Sequence, residues 1–180
     1  MIRIFTTLAL FAVLMMSAAM VVGLYVGDHV APDAQALRWA SIHRLLGVAA
    51  AIVVILVDSI VMTYFIGTSR WCKEVMQAYQ LDAEFVTRSV SLKRRTFPWA
   101  FLSMLVVIAV GALGAAADPS TMLQGTEHWV IFHLLGAFLG LAFIALSFYI
   151  QGRNIAAHHV VIEEIVAQVR RIRAELGLEV

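Results

Sequence analysis

Two histidines lie at matching positions in apolar stretches of the chain that read "SIHRLLG" and "IFHLLG". His43 comes four residues after Trp39, and His133 comes four residues after Trp129. Imidazole is an acid or base near neutral pH, a hydrogen-bonding group and a common metal ligand. A polar side chain inside a membrane is costly and usually faces the interior of a helix bundle, where it must find a partner. The two rings therefore indicate a shared site, provided that the segments around them are membrane helices.

The composition predicts that these segments are indeed membrane helices. Hydrophobic residues make up 62% of the 180 residues, charged residues 14%, and the mean hydropathy is +0.88, all far from the values of soluble globular proteins. A bilayer is crossed by a helix of about 20 apolar residues. We therefore expect an all-α membrane protein in which residues 1–180 form one four-transmembrane-helix bundle. The predicted spans are about 4–26, 39–66, 98–117 and 129–150.

Basic residues predict how the bundle is oriented. The predicted outer loops and helix ends carry only Arg38 and Arg44. By the positive-inside rule, both termini and the long central connection are expected in the cytoplasm, with helical extensions at 66–96 and 152–177. The first span is too long for the core of a secretory signal, so we expect it to remain in the protein. The pattern fits a multi-pass protein of a bacterial inner membrane. The basic residues of the predicted cytoplasmic side are Arg3, Arg70, Lys73, Arg88, Lys93, Arg94, Arg95, Arg153, Arg170, Arg171 and Arg173.

The C-terminal extension is predicted to be an amphipathic helix that continues helix four. Its apolar residues recur at helical spacing, and its charged residues lie between them. Such a helix packs on the other cytoplasmic helix or lies on the lipid surface, and a docking helix for a partner is a further alternative. His158 and His159 in this extension are expected in solvent. The apolar residues, named here the tail stripe, are Val161, Ile162, Ile165, Val166, Val169 and Ile172.

The depth and the neighbours of His43 and His133 favour one b-type haem. Helices two and four enter the membrane from the same side, and at about 1.5 Å per residue both imidazoles lie about 6 Å below their tryptophans. Small residues one and two turns away make both helix faces flat, as a macrocycle held between two imidazoles would require. A second haem is not expected, because the inner half has no histidine pair. The small residues are Gly47, Ala50 and Ala51 on helix two, and Gly136, Ala137 and Gly140 on helix four.

Other residues complete this hypothesis or compete with it. Arg44 and Arg38 are placed to meet haem propionates through charge-assisted hydrogen bonds. The spacing of Gly136 and Gly140 is equally typical of close helix packing without any cofactor.

The main alternative is a zinc, copper or iron ion at the outer face. Asp28 and His29 follow helix one, while Glu127 and His128 precede helix four, and these ligand types suit such ions. No recognised ligand spacing is present, and on one helix His128 and His133 would lie about 140° apart.

Asp58 is an intramembrane charge, about 22 Å deeper along helix two than His43 and about 60° round from it. It is predicted either to relay protons or bind a quinone headgroup, or to bond a hydroxyl such as that of Ser103.

The sequence has no nucleophile triad, phosphate loop or pair of catalytic carboxylates. Hydrolytic and ATP-driven activities therefore have no support, and nothing indicates nucleic acid as a partner.

The layout resembles that of small four-helix membrane cytochromes of the b type, in which two histidines on two helices hold one haem. The resemblance covers the helix count, the level histidines and the glycines. It implies one-electron transfer within a membrane, in an electron carrier or oxidoreductase subunit more than in a stand-alone enzyme. Quinol, the reduced form of a membrane quinone, is the expected electron donor to an outside acceptor, and a redox partner protein or larger membrane complex would be required. A structural subunit without cofactor and a homo-oligomer are further alternatives.

Overall fold

The computed structural model describes residues 1–26, 34–122 and 124–178. These residues form helices and connections and contain no strand. Residues 80–83 make the turn between the second and third helices, where Gln80 adopts a left-handed conformation and the Asp82 carboxylate accepts a hydrogen bond from the Glu84 backbone at 2.8 Å. The helices are α1 (Ile2–Val26), α2 (Ala34–Tyr79), α3 (Glu84–Ala117) and α4 (Glu127–Glu175), with a short 3-10 turn at Pro119–Thr121.

All four helices are long and apolar enough to cross a membrane, so the protein is a multi-pass membrane protein. The predicted spans lie within these four helices, which confirms that part of the expectation. Large apolar side chains point outward along the spans, for example Leu45 at 73% exposure and Leu139 at 71%. Such apolar surfaces are unfavourable in water but suit lipid. The backbone hydrogen bonds are satisfied within each helix, as a membrane span requires.

The helices follow one another round the bundle in chain order. Each packs on its neighbours in sequence, α1 also packs on α4, and α2 meets α4 across the diagonal. The chain start, the α2–α3 turn and the end of α4 are at the same end of the bundle, which we call the basic end, and α2, α3 and α4 extend beyond the chain start there. The α1–α2 and α3–α4 connections lie at the loop end. The cytoplasmic location of the basic end remains a prediction from charge.

The core of the bundle divides into two apolar clusters. The larger lies within the spans and brings together buried side chains such as Val54 of α2, Val107 of α3 and Ile144 of α4. The smaller lies beyond them, at the basic end, where α2, α3 and α4 continue as a three-helix extension. It contains Cys72, Leu81, Phe85, Val161 and Ile165.

The tail stripe faces this extension. Val161 and Ile165 are buried, and Ile162, Val169 and Ile172 pack against the same cluster. Arg88 of α3 and Glu164 of α4 form an ion pair at its edge. The apolar face of the tail is therefore covered by α2 and α3 of the same chain, which holds the basic ends of these helices in register.

Candidate functional site

The imidazoles of His43 and His133 meet inside the bundle near its loop end. Their ring centroids lie 6.0 Å apart, and the ring planes are inclined by 72°. His43 belongs to α2 and His133 to α4, the two helices that face each other across the diagonal. Both side chains are half-buried. Equal depth on diagonal helices is what brings two residues 90 positions apart in sequence into one site.

Each ring is held by a backbone carbonyl of the preceding helix. Nδ1 of His43 lies 2.9 Å from the carbonyl oxygen of Ala19, and Nδ1 of His133 lies 3.2 Å from that of Val110. A carbonyl oxygen can only accept, so Nδ1 must carry the hydrogen and donate. In a neutral imidazole this leaves the lone pair on Nε2. Metal-binding histidines commonly have this arrangement, in which a hydrogen bond from one nitrogen fixes the ring and the other nitrogen binds the metal.

A glycine one turn after each carbonyl makes room for the ring. A Cβ added to Gly23 would lie 2.7 Å from Cε1 of His43, and one added to Gly114 would lie 2.9 Å from Cε1 of His133. Real Cβ atoms do not approach other atoms so closely, so any larger residue would displace the ring. We call each combination of carbonyl and glycine a notch, formed by Ala19 and Gly23 on α1 and by Val110 and Gly114 on α3. Each notch lies on the first helix of a helical hairpin, and the histidine that it holds lies on the second helix.

No family model matches the chain, and comparisons with curated proteins and with solved structures gave no match.

The three glycines that the sequence singled out have different surroundings. A Cβ on Gly136 would lie 2.9 Å from Cδ1 of Leu113, and one on Gly140 would lie 2.8 Å from Cγ2 of Val110. Both glycines thus allow α4 to pack closely on α3, as their spacing suggested. A Cβ on Gly47 would meet nothing within 4 Å. The glycines that contact the imidazoles, Gly23 and Gly114, lie on the other two helices and were missed in the sequence.

The arginines expected at propionates lie at the loop end. Arg38 is exposed. The Arg44 guanidinium donates to the Asp118 carboxylate at 2.9 Å, to the Ser120 hydroxyl at 2.6 Å and to the Ser41 hydroxyl at 3.2 Å. Arg44 thereby ties α2 to the connection that follows α3, and a propionate would have to share or replace these contacts.

The residues of the alternative metal site are not brought together in the described part of the chain. Asp28 and His29 lie outside the described residues. His128 Nδ1 lies 3.3 Å from Glu127 Oε1, and both side chains are largely exposed. Within residues 1–26, 34–122 and 124–178, no group of three or more histidine, cysteine or acidic side chains could hold an ion.

A row of polar side chains on α4 was not recognised in the sequence. Its members lie at i, i+4, i+7 and i+11, so they share one helix face, and this face points into the bundle. Ser147 donates to the Trp99 carbonyl at 3.0 Å. Spacing alone could have revealed the row, because its period matches that of a buried helix face. We call it the polar stripe, and it consists of Ser147, Gln151, Asn154 and His158.

The prediction that His158 lies in solvent is wrong. Its side chain is fully buried, with Nδ1 3.2 Å from the Tyr64 hydroxyl and Nε2 2.8 Å from the Ser89 hydroxyl, which in turn donates to Ser69 at 2.9 Å. Packing of α4 against α2 and α3 in the extension turns this residue inward. Its neighbour His159 is exposed, as expected, and pairs with Glu163 at 3.4 Å.

Asp58 also lies inside, at the other end of the polar stripe. The Gln151 amide donates to Asp58 Oδ1 at 2.8 Å and to the Ser147 hydroxyl at 2.9 Å. The Ser103 hydroxyl also acts on this carboxyl, although the two groups do not meet the geometry of a hydrogen bond. The principal partner of Asp58 is thus an amide 93 positions away, which the sequence did not indicate.

Proposed function

We propose that the protein is a membrane-embedded b-type cytochrome that binds one haem between His43 and His133 and carries electrons in a redox chain. The observation that supports this most directly is the separation of the two rings. The ring centroids lie 6.0 Å apart on two facing helices. His43 and His133 would together hold the iron of a haem placed between them.

The hydrogen bonds support the same assignment. With Nδ1 of each ring bound to a carbonyl, Nε2 is the nitrogen left with a lone pair for a metal. Such a bond also fixes the ring orientation and makes the imidazole a stronger ligand. The notches at Gly23 and Gly114 let both rings lie between the helices without strain. His43 and His133 would thus be the residues that hold the haem.

The number of protein ligands favours haem over a bare ion. A protein-bound zinc ion normally has four ligands, at least three of which are side chains. At this point the described residues offer two imidazoles. A porphyrin supplies four nitrogens of its own, so two imidazoles complete its coordination. When bound, haem would supply reversible exchange of one electron, while the chain would hold the rings, exclude water and set the depth of the group.

Because the two histidines lie near the loop end, electrons would be exchanged with a partner at that side of the membrane. The loop connections are short, so the partner would be a membrane quinone or another protein, not a substrate enclosed by this chain. From the basic residues we infer that the loop end faces outward from a bacterial inner membrane. In this arrangement the two histidines lie about 6 Å below the outer tryptophans, within reach of an acceptor on that side.

An absorption spectrum of the purified protein tests the proposal. We expect a Soret band that shifts on reduction, with one haem per chain. His43→Ala and His133→Ala should each abolish the band, whereas His159→Ala, which alters an exposed histidine, should leave it intact.

Two results would overturn the proposal. One is a protein that stays colourless after expression with excess haem and after reconstitution with haemin. The other is a band that persists in the double variant of His43 and His133. Stoichiometric zinc or copper in a colourless protein would favour the metal-ion alternative.

A further inference from the structure

The buried end of the polar stripe contains polar atoms without partners. Among the described residues, Oδ2 of Asp58, Oε1 of Gln151 and the Ser103 hydroxyl are buried and make no hydrogen bond. All three side chains are fully buried. Buried polar groups are nearly always paired, so unpaired atoms on three contiguous side chains require an explanation. They belong to three different helices, α2, α4 and α3, which converge on the carboxyl of Asp58.

The surroundings of Asp58 do not suit a negative charge. None of the ion pairs between described residues includes Asp58, and no charged group acts on it. The groups that act on it are neutral, namely Gln151 from α4 and Ser103 from α3. A buried carboxylate without a counter-charge is strongly unfavourable and becomes neutral by taking up a proton. A carboxylic acid also has a hydrogen to donate, which an ionised carboxylate lacks.

The polar stripe leads from this carboxyl toward the basic end. From Gln151 the polar stripe continues to Asn154, which donates to the Thr96 hydroxyl at 3.0 Å. It then reaches His158, which contacts both Tyr64 and Ser89. Successive members are three or four residues apart, about 5 to 6 Å along the helix. A bridging water at each step can connect such groups. The stripe enters the extension, where the helices leave the predicted spans.

We propose that Asp58 is a proton-binding site in the interior of the bundle and that it exchanges its proton with water at the basic end along the polar stripe. The ligand is a proton, which moves from water to the Asp58 carboxylate without any change of oxidation state. Besides Asp58, His158 is the ionisable side chain of this path. Asn154 and Gln151 orient the bridging waters between His158 and Asp58. This site does not depend on the haem, so either proposal can fail while the other holds.

Infrared spectroscopy of the purified full-length protein in lipid tests the binding site. At neutral pH we expect the carbonyl band of a protonated carboxylic acid. Asp58→Asn should remove it, and Asp82→Asn, which alters an exposed carboxyl at the α2–α3 turn, should not. Gln151→Leu provides a second variant if Asp58→Asn does not fold, because loss of the amide bond should shift the band without deleting it. Absence of the band in the wild type, or its persistence unchanged in Asp58→Asn, would overturn the site.

The rate at which the band shifts after transfer into deuterated water tests the path. We expect Asn154→Leu to slow this exchange at least tenfold while the band itself remains. Ser17→Ala is the matched control, since Ser17 is a partly buried hydroxyl on α1 that bonds only its own helix at 2.8 Å. Equal rates in the wild type and Asn154→Leu would refute the path, as would equal slowing by both variants.

Discussion

Gly23 on α1 lies so close to His43 on α2 that a methyl group on the glycine would come within 2.7 Å of the imidazole. The same relationship links Gly114 and His133 in the second helical hairpin. A glycine inside a helix costs about 1 kcal/mol relative to alanine, so its presence here needs a compensating reason. Space for a ring that must stay in one place provides that reason.

If the proposed haem is bound, Gly23→Ala and Gly114→Ala should each reduce the haem content several-fold, because the added methyl displaces the imidazole of His43 or His133. Gly111→Ala is the control on the same helix as Gly114, since a Cβ there meets nothing within 4 Å. Haem stoichiometry from the Soret band, normalised to protein, measures the effect. If Gly114→Ala and Gly111→Ala retain equal amounts of haem, the notch does not position His133.

Gly140→Ala should destabilise the protein by about 1–3 kcal/mol, the usual range for overpacking a close contact. The new methyl would lie 2.8 Å from Val110, which also supplies the carbonyl that holds His133. Gly47→Ala, with open space around it, should be neutral or stabilising. Thermal unfolding in detergent compares the two. Combining Gly140→Ala with Val110→Ala should recover part of the loss, and failure to do so would show that the strain lies elsewhere.

His158→Ala should lower the stability by about 2–4 kcal/mol, because it leaves a cavity and removes the hydrogen bonds between His158 and the hydroxyls of Tyr64 and Ser89. His159→Ala, one position along and exposed, should change it by less than about 0.5 kcal/mol. The two variants can be compared by their midpoints of thermal unfolding. Equal midpoints would mean that His158 does not support the helix packing.

The loop-end ion pair should make stability fall in acid. Burial of the Asp118 carboxyl opposes ionisation, but hydrogen bonds from Ser120 and Arg44 outweigh it and hold its pKa below the ordinary value. The folded state therefore binds this proton less readily than the unfolded state does. The stabilisation is present above the unfolded pKa of about 3.9 and is lost as the pH falls through the lower folded pKa.

Asp118→Asn should consequently reduce the melting temperature at about pH 6 and lose less of it than the wild type between about pH 5 and pH 3. The measurement is the melting temperature of both proteins across this range. Parallel curves for the two proteins would contradict a contribution from Asp118. Arg44→Gln should behave similarly, because it removes the partner of the same carboxylate.

Parts of the candidate site could be predicted from sequence, and others could not. The equal depth of His43 and His133 follows from counting residues from Trp39 and Trp129, because the rise of a helix is constant. The contact of Gly23 with His43 could not be derived in this way. It depends on how far α1 and α2 are rotated about their axes, and that rotation is set by packing along their whole length.

The polar stripe is a second feature that the sequence predicted only in part. Its spacing was visible in the sequence, yet His158 was expected in solvent because it falls in the predicted cytoplasmic tail and no partner imidazole could be placed beside it. Gln151 and Asp58 are 93 positions apart, and neither residue indicates the other. Their contact arises because α2 and α4 face each other across the diagonal.

The sequence by itself determined that four helices cross a membrane and that two histidines lie at one depth, since both follow from local runs of apolar residues and a constant helical rise. Only the tertiary structure decided which helix faces meet, and hence the two notches, the partner of Asp58 and the burial of His158. The physical reason is that lipid is as apolar as the bundle interior. Hydrophobic patterning within a span therefore does not distinguish the face toward lipid from the face toward the other helices, and packing of all four helices must settle it.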